Sequence, residues 1–228
     1  MSYEKEKQLV AEEAVKLIKS GMIIGLGSGS TSAFFIKALK ERIQNESLNI
    51  SCVATSLLSK ELVTGFIPLI EESLRNEIDI TFDGADLIDL KTFHLIKGGG
   101  GALLREKIVA ARSKQNIVLV DSSKLASPLE GFPVAIEIVR FGYESTVLRI
   151  NELGYSGHVR HKDGKAVLSD NDNYIFDIVF NGPIKDPQKH HSRLKNLLGV
   201  IETGFFLETA TKVYIGYPDG KFEIKERP

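Results

Sequence analysis

The chain has 228 residues, 43% apolar and 26% charged, the composition of an ordinary folded protein and not of a disordered or collagen-like one. Its 29 Lys and Arg against 30 Asp and Glu leave a net charge of −1, without the basic surplus of a nucleic-acid module, although local pockets for small anions stay open. The one cysteine, Cys52, excludes an intrachain disulfide and a multi-thiolate zinc site. With a charged start (MSYEKEKQLVAEE) and no apolar run near the ~18 residues of a membrane span, the expectation is a soluble cytoplasmic protein with no membrane or nucleic-acid partner.

Val10, Ala14, Leu17 and Ile18 recur at helical spacing, so the first twenty residues read as an amphipathic helix stopped by Gly21. Met22–Leu26 reads as a short buried strand, followed by GLGSGST and a helix from about Ser30 to Asn45 with Phe35, Leu39 and Ile43 on one face. Ile50–Ala54 reads as a strand and Leu57–Val63 as a short helix. Ile78, Ile80 and Phe82 alternate with polar residues and run into Asp83-Gly84-Ala85-Asp86. Phe93–Ile96 is a further strand stub ending in Lys97 and four glycines, Ala102–Ser113 is helical, and Asn116–Val120 is a strand ending at Asp121. Alternating strands and helices imply an α/β fold, a mostly parallel sheet with helices on both faces.

The rhythm changes after Gly131. Val134–Val139 reads as a strand, Tyr143–Leu153 as a helix, and Ser156–His161 with Lys165–Leu168 as a hairpin about Asp163-Gly164. Tyr174–Phe180 is a strand, Pro187–Leu198 a helix with proline in its first turn, and Val200–Phe206 a strand. Two strand-helix-strand units in succession give a smaller α+β, ferredoxin-like domain with an extra hairpin strand. Lys212–Ile215 and Lys221–Lys225 return to the first sheet. The expected domains are 1–131 with 207–228, and an inserted 132–206.

Three loops follow predicted strands, and ligands of open parallel sheets sit beyond the carboxyl ends of strands, so the loops are expected to converge. The first carries Ser28, Gly29, Ser30 and Thr31 at the start of a helix, whose free N–H groups and partial positive charge suit a phosphate. It is neither a Walker loop nor a dinucleotide fingerprint, since no Gly-Lys precedes the hydroxyl residue and Ser30 stands at the third glycine position. The plainer alternative is a tight turn with Ser30 or Thr31 as helix cap. The second, Asp83-Gly84-Ala85-Asp86, offers two carboxylates that can divide acid and base work, hold a divalent metal or cap a turn. The third, Lys97-Gly98-Gly99-Gly100-Gly101, costs roughly 0.5–1 kcal/mol of extra chain entropy per glycine, which close approach of backbone to a ligand explains better than a linker. Glu106 lies in the following helix and can face the same crevice, or stand as a solvated helix carboxylate. Lys124, in Asp121-Ser122-Ser123-Lys124, is a further candidate for a phosphate; Lys5 and Lys7 are weaker ones. The five histidines show no convergent spacing, so no metal site is expected.

GLGSGST, DGAD and KGGGGALLREK in this order, with DSSK and GYPDG further on, make the chain resemble the A-type ribose-5-phosphate isomerase family along nearly its whole length. The resemblance implies a cofactor-free aldose–ketose isomerase of the non-oxidative pentose phosphate pathway, with a Rossmann-like domain, a ferredoxin-like domain and assembly as a homodimer or homotetramer. It implies Glu106 as catalytic base and Asp83, Asp86 and Lys97 as catalytic partners. It also implies sugar-phosphate binding by Ser28, Gly29, Ser30, Thr31, Asp83, Gly84, Ala85, Asp86, Lys97, Gly98, Gly99, Gly100 and Lys124, with no metal. In the implied mechanism Asp83 assists ring opening, Glu106 moves a proton from carbon 2 to carbon 1, Lys97 stabilises a cis-enediolate, and Asp86 orients Lys97 or a substrate hydroxyl. Ser28 stands where the family usually has threonine, and Leu87 where many members have glutamate. The other classes weighed are a non-catalytic sugar-phosphate sensor, for which the chain has no spare DNA-binding helices, and another sugar-phosphate enzyme on this scaffold, such as an amino-sugar phosphate deaminase or a coenzyme A transferase.

Overall fold

The computed structural model describes residues 3–70 and 77–227, so residues 1 and 2 of the expected first helix lie outside the described residues. The helices are α1 (Glu4–Ala14), α2 (Ser30–Glu46), α3 (Leu57–Val63), α4 (Leu103–Ala111), α5 (Tyr143–Glu152) and α6 (Pro187–Lys195). The strands begin with β1 (Ile23–Leu26), β2 (Ser51–Ala54), β3 (Ile78–Asp83), β4 (Leu87–Asp89), β5 (His94–Ile96), β6 (Ser113–Asp121) and β7 (Val134–Ile138). They continue with β8 (Ser156–Val159), β9 (His161–Lys162), β10 (Lys165–Ala166), β11 (Tyr174–Val179), β12 (Val200–Thr203), β13 (Phe205–Phe206), β14 (Lys212–Gly216) and β15 (Phe222–Glu226). The chain divides into two compact units: residues 1–85, 105–125 and 208–228, and residues 86–104 with 126–207.

The first unit is built on a six-stranded sheet in the order β15-β14-β6-β3-β1-β2. All neighbours pair in parallel except β15, which closes the tail as an antiparallel edge hairpin on β14. Central strands of a parallel sheet are covered on both faces and therefore read as apolar runs, as in Ile117-Val118-Leu119-Val120. One face packs against the apolar stripes of α1 and α2, which bury Val10, Ala14, Phe35 and Leu39 with Ile24, Leu26, Ile80 and Phe82. Phe35 stacks on Phe82 with ring centroids 4.2 Å apart. On the other face Val109 packs with Val53 and Ile78. A Cβ on Gly25 would come within 2.0 Å of the Thr81 hydroxyl and 2.8 Å of Val109, so glycine there lets the helix lie close to the sheet.

The second unit carries an antiparallel sheet in the order β12-β7-β11-β8, in which two strand-helix-strand passes interleave as the sequence pattern predicts. Ile136, Ile138, Phe176, Ile178, Ile150 of α5 and Leu194 of α6 share one apolar core. The expected extra strand is the short β9–β10 hairpin, outside that sheet, turning through Asp163 and Gly164, both with positive φ.

Three expectations need correction. The stretch 200–206 is not one strand but β12 and β13, broken at Gly204, where the backbone presses on the Lys97 and Ala135 carbonyls; a Cβ there would lie 2.4 Å from the former. The pattern misses β4, whose three buried residues Leu87, Ile88 and Asp89 are too few to show a period. And β5 does not join the parallel sheet: it pairs antiparallel with β4 and β13 in a three-stranded sheet. Residues 86–104, expected with the first domain, therefore pack with the second unit, because β13 comes from residues 205–206 of that unit. The loop after β5 thus does not share the strand-end geometry assumed for it.

No helix among the described residues is long and apolar enough to cross a membrane. Cys52 is fully buried in β2, and burial pushes its thiol up to about 12. The native protein at pH 8 is therefore expected to resist thiol-disulfide reagents and to react stoichiometrically once denatured; rapid labelling without denaturant would contradict the packing of β2.

Candidate active site

In the first unit the glycine-rich loop connects β1 to α2, and the chain is steered by Asp83 at the end of β3. The Asp83 carboxylate Oδ1 accepts the N–H of Ser28 at 3.2 Å and that of Gly84 at 2.8 Å, while Gly27 N–H donates to the Phe82 carbonyl at 2.8 Å. This close approach is possible because residue 27 is glycine: a Cβ would sit 2.0 Å from the Asp83 carboxylate oxygen and 2.6 Å from its Cα. Gly29 takes φ +91° as the residue before α2 and supplies no side chain, so the helix start is not capped by Ser30 or Thr31. The plain helix-cap alternative for these hydroxyls is therefore not what the chain does. Ser28 Oγ lies 2.9 Å from the Thr55 hydroxyl, and Ser32 Oγ donates to the Ser28 carbonyl at 3.0 Å. Lys7 of α1 places its ammonium 2.9 Å from Ser30 Oγ. A helix of seventeen residues thus opens with uncapped N–H groups beside three hydroxyl side chains and an ammonium. That set suits a phosphate dianion. Glu106 lies in the first turns of α4, 5% exposed, not on the solvated helix face the plainer alternative places it on. Asp121, fully buried at the end of β6, accepts the N–H of Ser123 at 3.1 Å and its hydroxyl, which fixes the short turn that carries Lys124.

In the second unit Asp86 and the four-glycine loop are tied together. Asp86 N–H donates to the Ile96 carbonyl at 2.9 Å, and its carboxylate Oδ2 accepts the Gly99 N–H at 2.8 Å. Lys97 N–H donates to the Gly204 carbonyl at 2.9 Å, and Gly101 N–H closes a turn onto the Gly98 carbonyl at 3.0 Å. Gly98 and Gly101 have φ of +106° and +81°, which side-chain-bearing residues rarely adopt. The Lys97 side chain is almost fully buried, with its ammonium 5.3 Å from the centre of the Phe206 ring. What the Asp86 carboxylate holds here is the glycine loop, through the Gly99 N–H.

Two neighbours escape the sequence reading or carry little weight in it. Thr55 sits one residue past β2 with no motif around it, and Lys7 is one lysine among many on an amphipathic helix; only the folded register of α1 against α2 sets it apart. Among the described residues no group of three or more His, Cys, Asp and Glu is placed to hold a metal ion. Two histidines serve packing in the second unit, His190 2.7 Å from the Tyr155 hydroxyl and His191 2.7 Å from that of Thr203.

The two glycine contacts make a pair of opposite expectations. Gly27→Ala is expected to cost about 1–3 kcal/mol through overpacking against Asp83. Gly100→Ala meets nothing within 4 Å and is expected to leave stability unchanged or to raise it by up to about 1 kcal/mol. Urea unfolding of both variants measures this, and equal stabilities would refute the tight Gly27–Asp83 contact.

The comparisons with known proteins bear on what this geometry serves. A family model described as Ribose 5-phosphate isomerase A (phosphoriboisomerase A) matches residues 51–220. The chain is 46% identical over 223 residues to the ribose-5-phosphate isomerase A of Protochlamydia amoebophila, covering 96% of this chain and 95% of the relative. It is 46% identical over 224 residues to that of Bacillus mycoides, covering 96% and 98%. The structure of the Methanocaldococcus jannaschii ribose 5-phosphate isomerase A superposes with a TM-score of 0.92 at 40% identity over 99% of this chain and all of the other. A D-ribose-5-phosphate isomerase solved in complex with phospho-erythronic acid superposes with a TM-score of 0.92 at 37% identity, covering both chains fully. The chain belongs to the ribose 5-phosphate isomerase A family.

Proposed function

We propose that this protein interconverts D-ribose 5-phosphate and D-ribulose 5-phosphate through a cis-enediolate, in the non-oxidative pentose phosphate pathway. The observation that carries the reading is the near full-length identity of 46% to ribose-5-phosphate isomerases A, with the catalytic motifs of the resemblance intact. The local geometry supports it: the uncapped start of α2 with Ser28, Ser30, Thr31 and Lys7 suits the phosphate. Lys124 is assigned to the same phosphate on the family resemblance.

The roles follow from residue chemistry. Asp83 takes the proton of the anomeric hydroxyl and delivers one to the ring oxygen as the ring opens to the aldehyde. Glu106 then takes the proton from carbon 2; the electrons of that C–H bond form the C1–C2 double bond, and the charge settles on the carbonyl oxygen. Burial of Glu106 suits this work, because it keeps bulk water away from the proton carried between the two carbons. The Lys97 ammonium, held before the charge develops, stabilises the enediolate oxygen. The hydroxyl proton on carbon 2 passes to the oxygen on carbon 1, Glu106 returns its proton to carbon 1, and the ketone forms at carbon 2. Asp86 steadies the glycine loop beyond Lys97 and offers its carboxylate to a substrate hydroxyl; Gly84, Ala85, Gly98, Gly99 and Gly100 contribute backbone groups. A relative solved with phospho-erythronic acid fits this chemistry, since a planar carboxylate there resembles the enediolate in charge and shape. The proposal includes action in the cytoplasm, for which the buried free thiol of Cys52 is the support, and assembly as a homodimer or homotetramer as the family resemblance implies.

Proton NMR of ribose 5-phosphate in D₂O with the protein and excess EDTA is expected to show ribulose 5-phosphate with deuterium at carbon 1 and, on reversal, ribose 5-phosphate with deuterium at carbon 2. Sugar-phosphate binding without conversion or exchange would replace the reading with a non-catalytic sensor, and loss of activity in EDTA would turn the aspartates into metal ligands. Glu106→Gln is expected to lower kcat by about 10²–10⁴-fold while phospho-erythronic acid still binds. Lys97→Met is expected to lower it by about 10²–10³-fold. Unchanged turnover in Glu106→Gln would remove the assigned base.

A further inference from the structure

Arg160, one residue past β8 in the second unit, is engaged on both sides of its guanidinium. On one side Nε and Nη2 donate to the two carboxylate oxygens of Asp177 on β11, at 2.7 and 2.6 Å. On the other side Nη1 donates to two consecutive backbone carbonyls of the glycine loop, Gly98 at 3.0 Å and Gly99 at 2.9 Å. The Asp177 side chain is 8% exposed and that of Arg160 18%, so the pair is largely withdrawn from water. An ion pair serving only the sheet needs the Asp177 contacts alone. The second set has a different consequence: two successive carbonyls drawn to one nitrogen fix both peptide planes that follow Gly98. With those planes fixed, the Gly99 N–H points at Asp86 and the Gly101 N–H closes on Gly98. The loop so held begins at Lys97. Four consecutive glycines would otherwise sample a wide range of backbone conformations, and the rigid fork of a guanidinium binds both oxygens of a carboxylate while a further nitrogen reaches two carbonyls, which the point charge of a lysine does not reproduce.

We propose that Arg160, fixed by Asp177, is a positioning residue for the isomerisation: it preorganises the Lys97–Gly101 loop and, through the Gly99 N–H, the Asp86 carboxylate. It touches no reacting atom. The proposal rests on the assignment of Lys97 and Asp86 to the isomerase reaction, and the loop-ordering part of it can be read without substrate.

Arg160→Met is expected to lower kcat by about 10–100-fold, as loss of a group that orients catalytic residues does, with KM and affinity for phospho-erythronic acid changed far less. Arg160→Lys keeps the charge but not the fork and is expected to rescue little of the loss. In a double-mutant cycle Asp86→Asn with Arg160→Met is expected to be hardly slower than the slower single variant, because both act on the same loop. Amide hydrogen exchange is expected to speed up at Gly99 and Gly101 in Arg160→Met while the amides of β7 and β11 keep their protection. Full kcat in Arg160→Met, strict additivity with Asp86→Asn, or unchanged exchange at Gly99 and Gly101 would each overturn the proposal. If Arg160→Met fails to fold, Arg160→Lys carries the same readouts with nearly the same bulk. A parent protein that does not isomerise ribose 5-phosphate would defeat the functional reading, while the exchange result would still decide whether Arg160 orders the loop.

Discussion

The arrangement depends on one kind of contact used twice: an aspartate carboxylate accepting backbone N–H groups from a glycine-rich loop. Asp83 does this for the loop after β1, and Asp86 for the loop after β5. Each needs glycine at the contact, since a Cβ at residue 27 or 99 would stand 2.0 or 2.6 Å from the carboxylate oxygen it faces. A charge-assisted hydrogen bond to backbone amides is stronger than a neutral one, so it can hold a loop that glycine makes floppy. The four residues Asp83-Gly84-Ala85-Asp86 thus brace one loop in each unit, and the pair of carboxylates is structural before it is catalytic.

Electrostatics divides along the same lines. The start of α2, to which the proposed reaction assigns the phosphate, is made of elements whose positive character costs little to desolvate: N–H groups at a helix start, hydroxyls, and an ammonium at the surface. The two groups to which the proposed reaction gives proton transfer and charge stabilisation, Glu106 in the first unit and Lys97 in the second, are each nearly buried. Burying an ammonium is expensive unless its surroundings answer the charge, and the face of Phe206 contributes to that answer. A lysine so held needs little rearrangement when negative charge appears on a substrate oxygen, which is where preorganised charge gives its largest effect.

Much of this was legible in the sequence, for physical reasons that can be named. The core elements of the first unit follow from period: Val10 and Ala14 on α1, Phe35 and Leu39 on α2, and the alternation of Ile78, Ile80 and Phe82 all fall where their spacing puts them. The interleaved strand-helix-strand order of the second unit follows from lengths and turn residues. What escaped was set by contacts distant in sequence. β4 is too short to show a period, and β5 reads as one more strand of a parallel sheet until β13 is seen to pair with it. The break at Gly204 has no local sequence signal beyond the glycine itself, because its cause is the Lys97 carbonyl about a hundred residues earlier. Among the candidate residues, Ser28, Asp83, Asp86, Lys97 and Glu106 were nameable because motifs carry them. Thr55 was not singled out and Lys7 only as a weak candidate, since a strand-end threonine and a helix lysine are common in any chain.

The four glycines at 98–101 show how far a structural explanation reaches. Gly98 and Gly101 are required by positive φ, and Gly98 also by the Ala135 side chain 2.9 Å from where its Cβ would lie. Gly99 is required by the Asp86 carboxylate against it. Gly100 has no such reason: nothing lies within 4 Å of a Cβ built there, its φ is not in the left-handed region, and it faces solvent. A glycine in an exposed, otherwise tolerant position still costs roughly 0.5–1 kcal/mol of chain entropy relative to alanine. Under the proposed reaction that cost has a use, because a bare peptide at residue 100 lets a sugar approach its N–H more closely than any side chain would allow. Three of the glycines shape the loop, and the proposed reaction gives the fourth to the ligand.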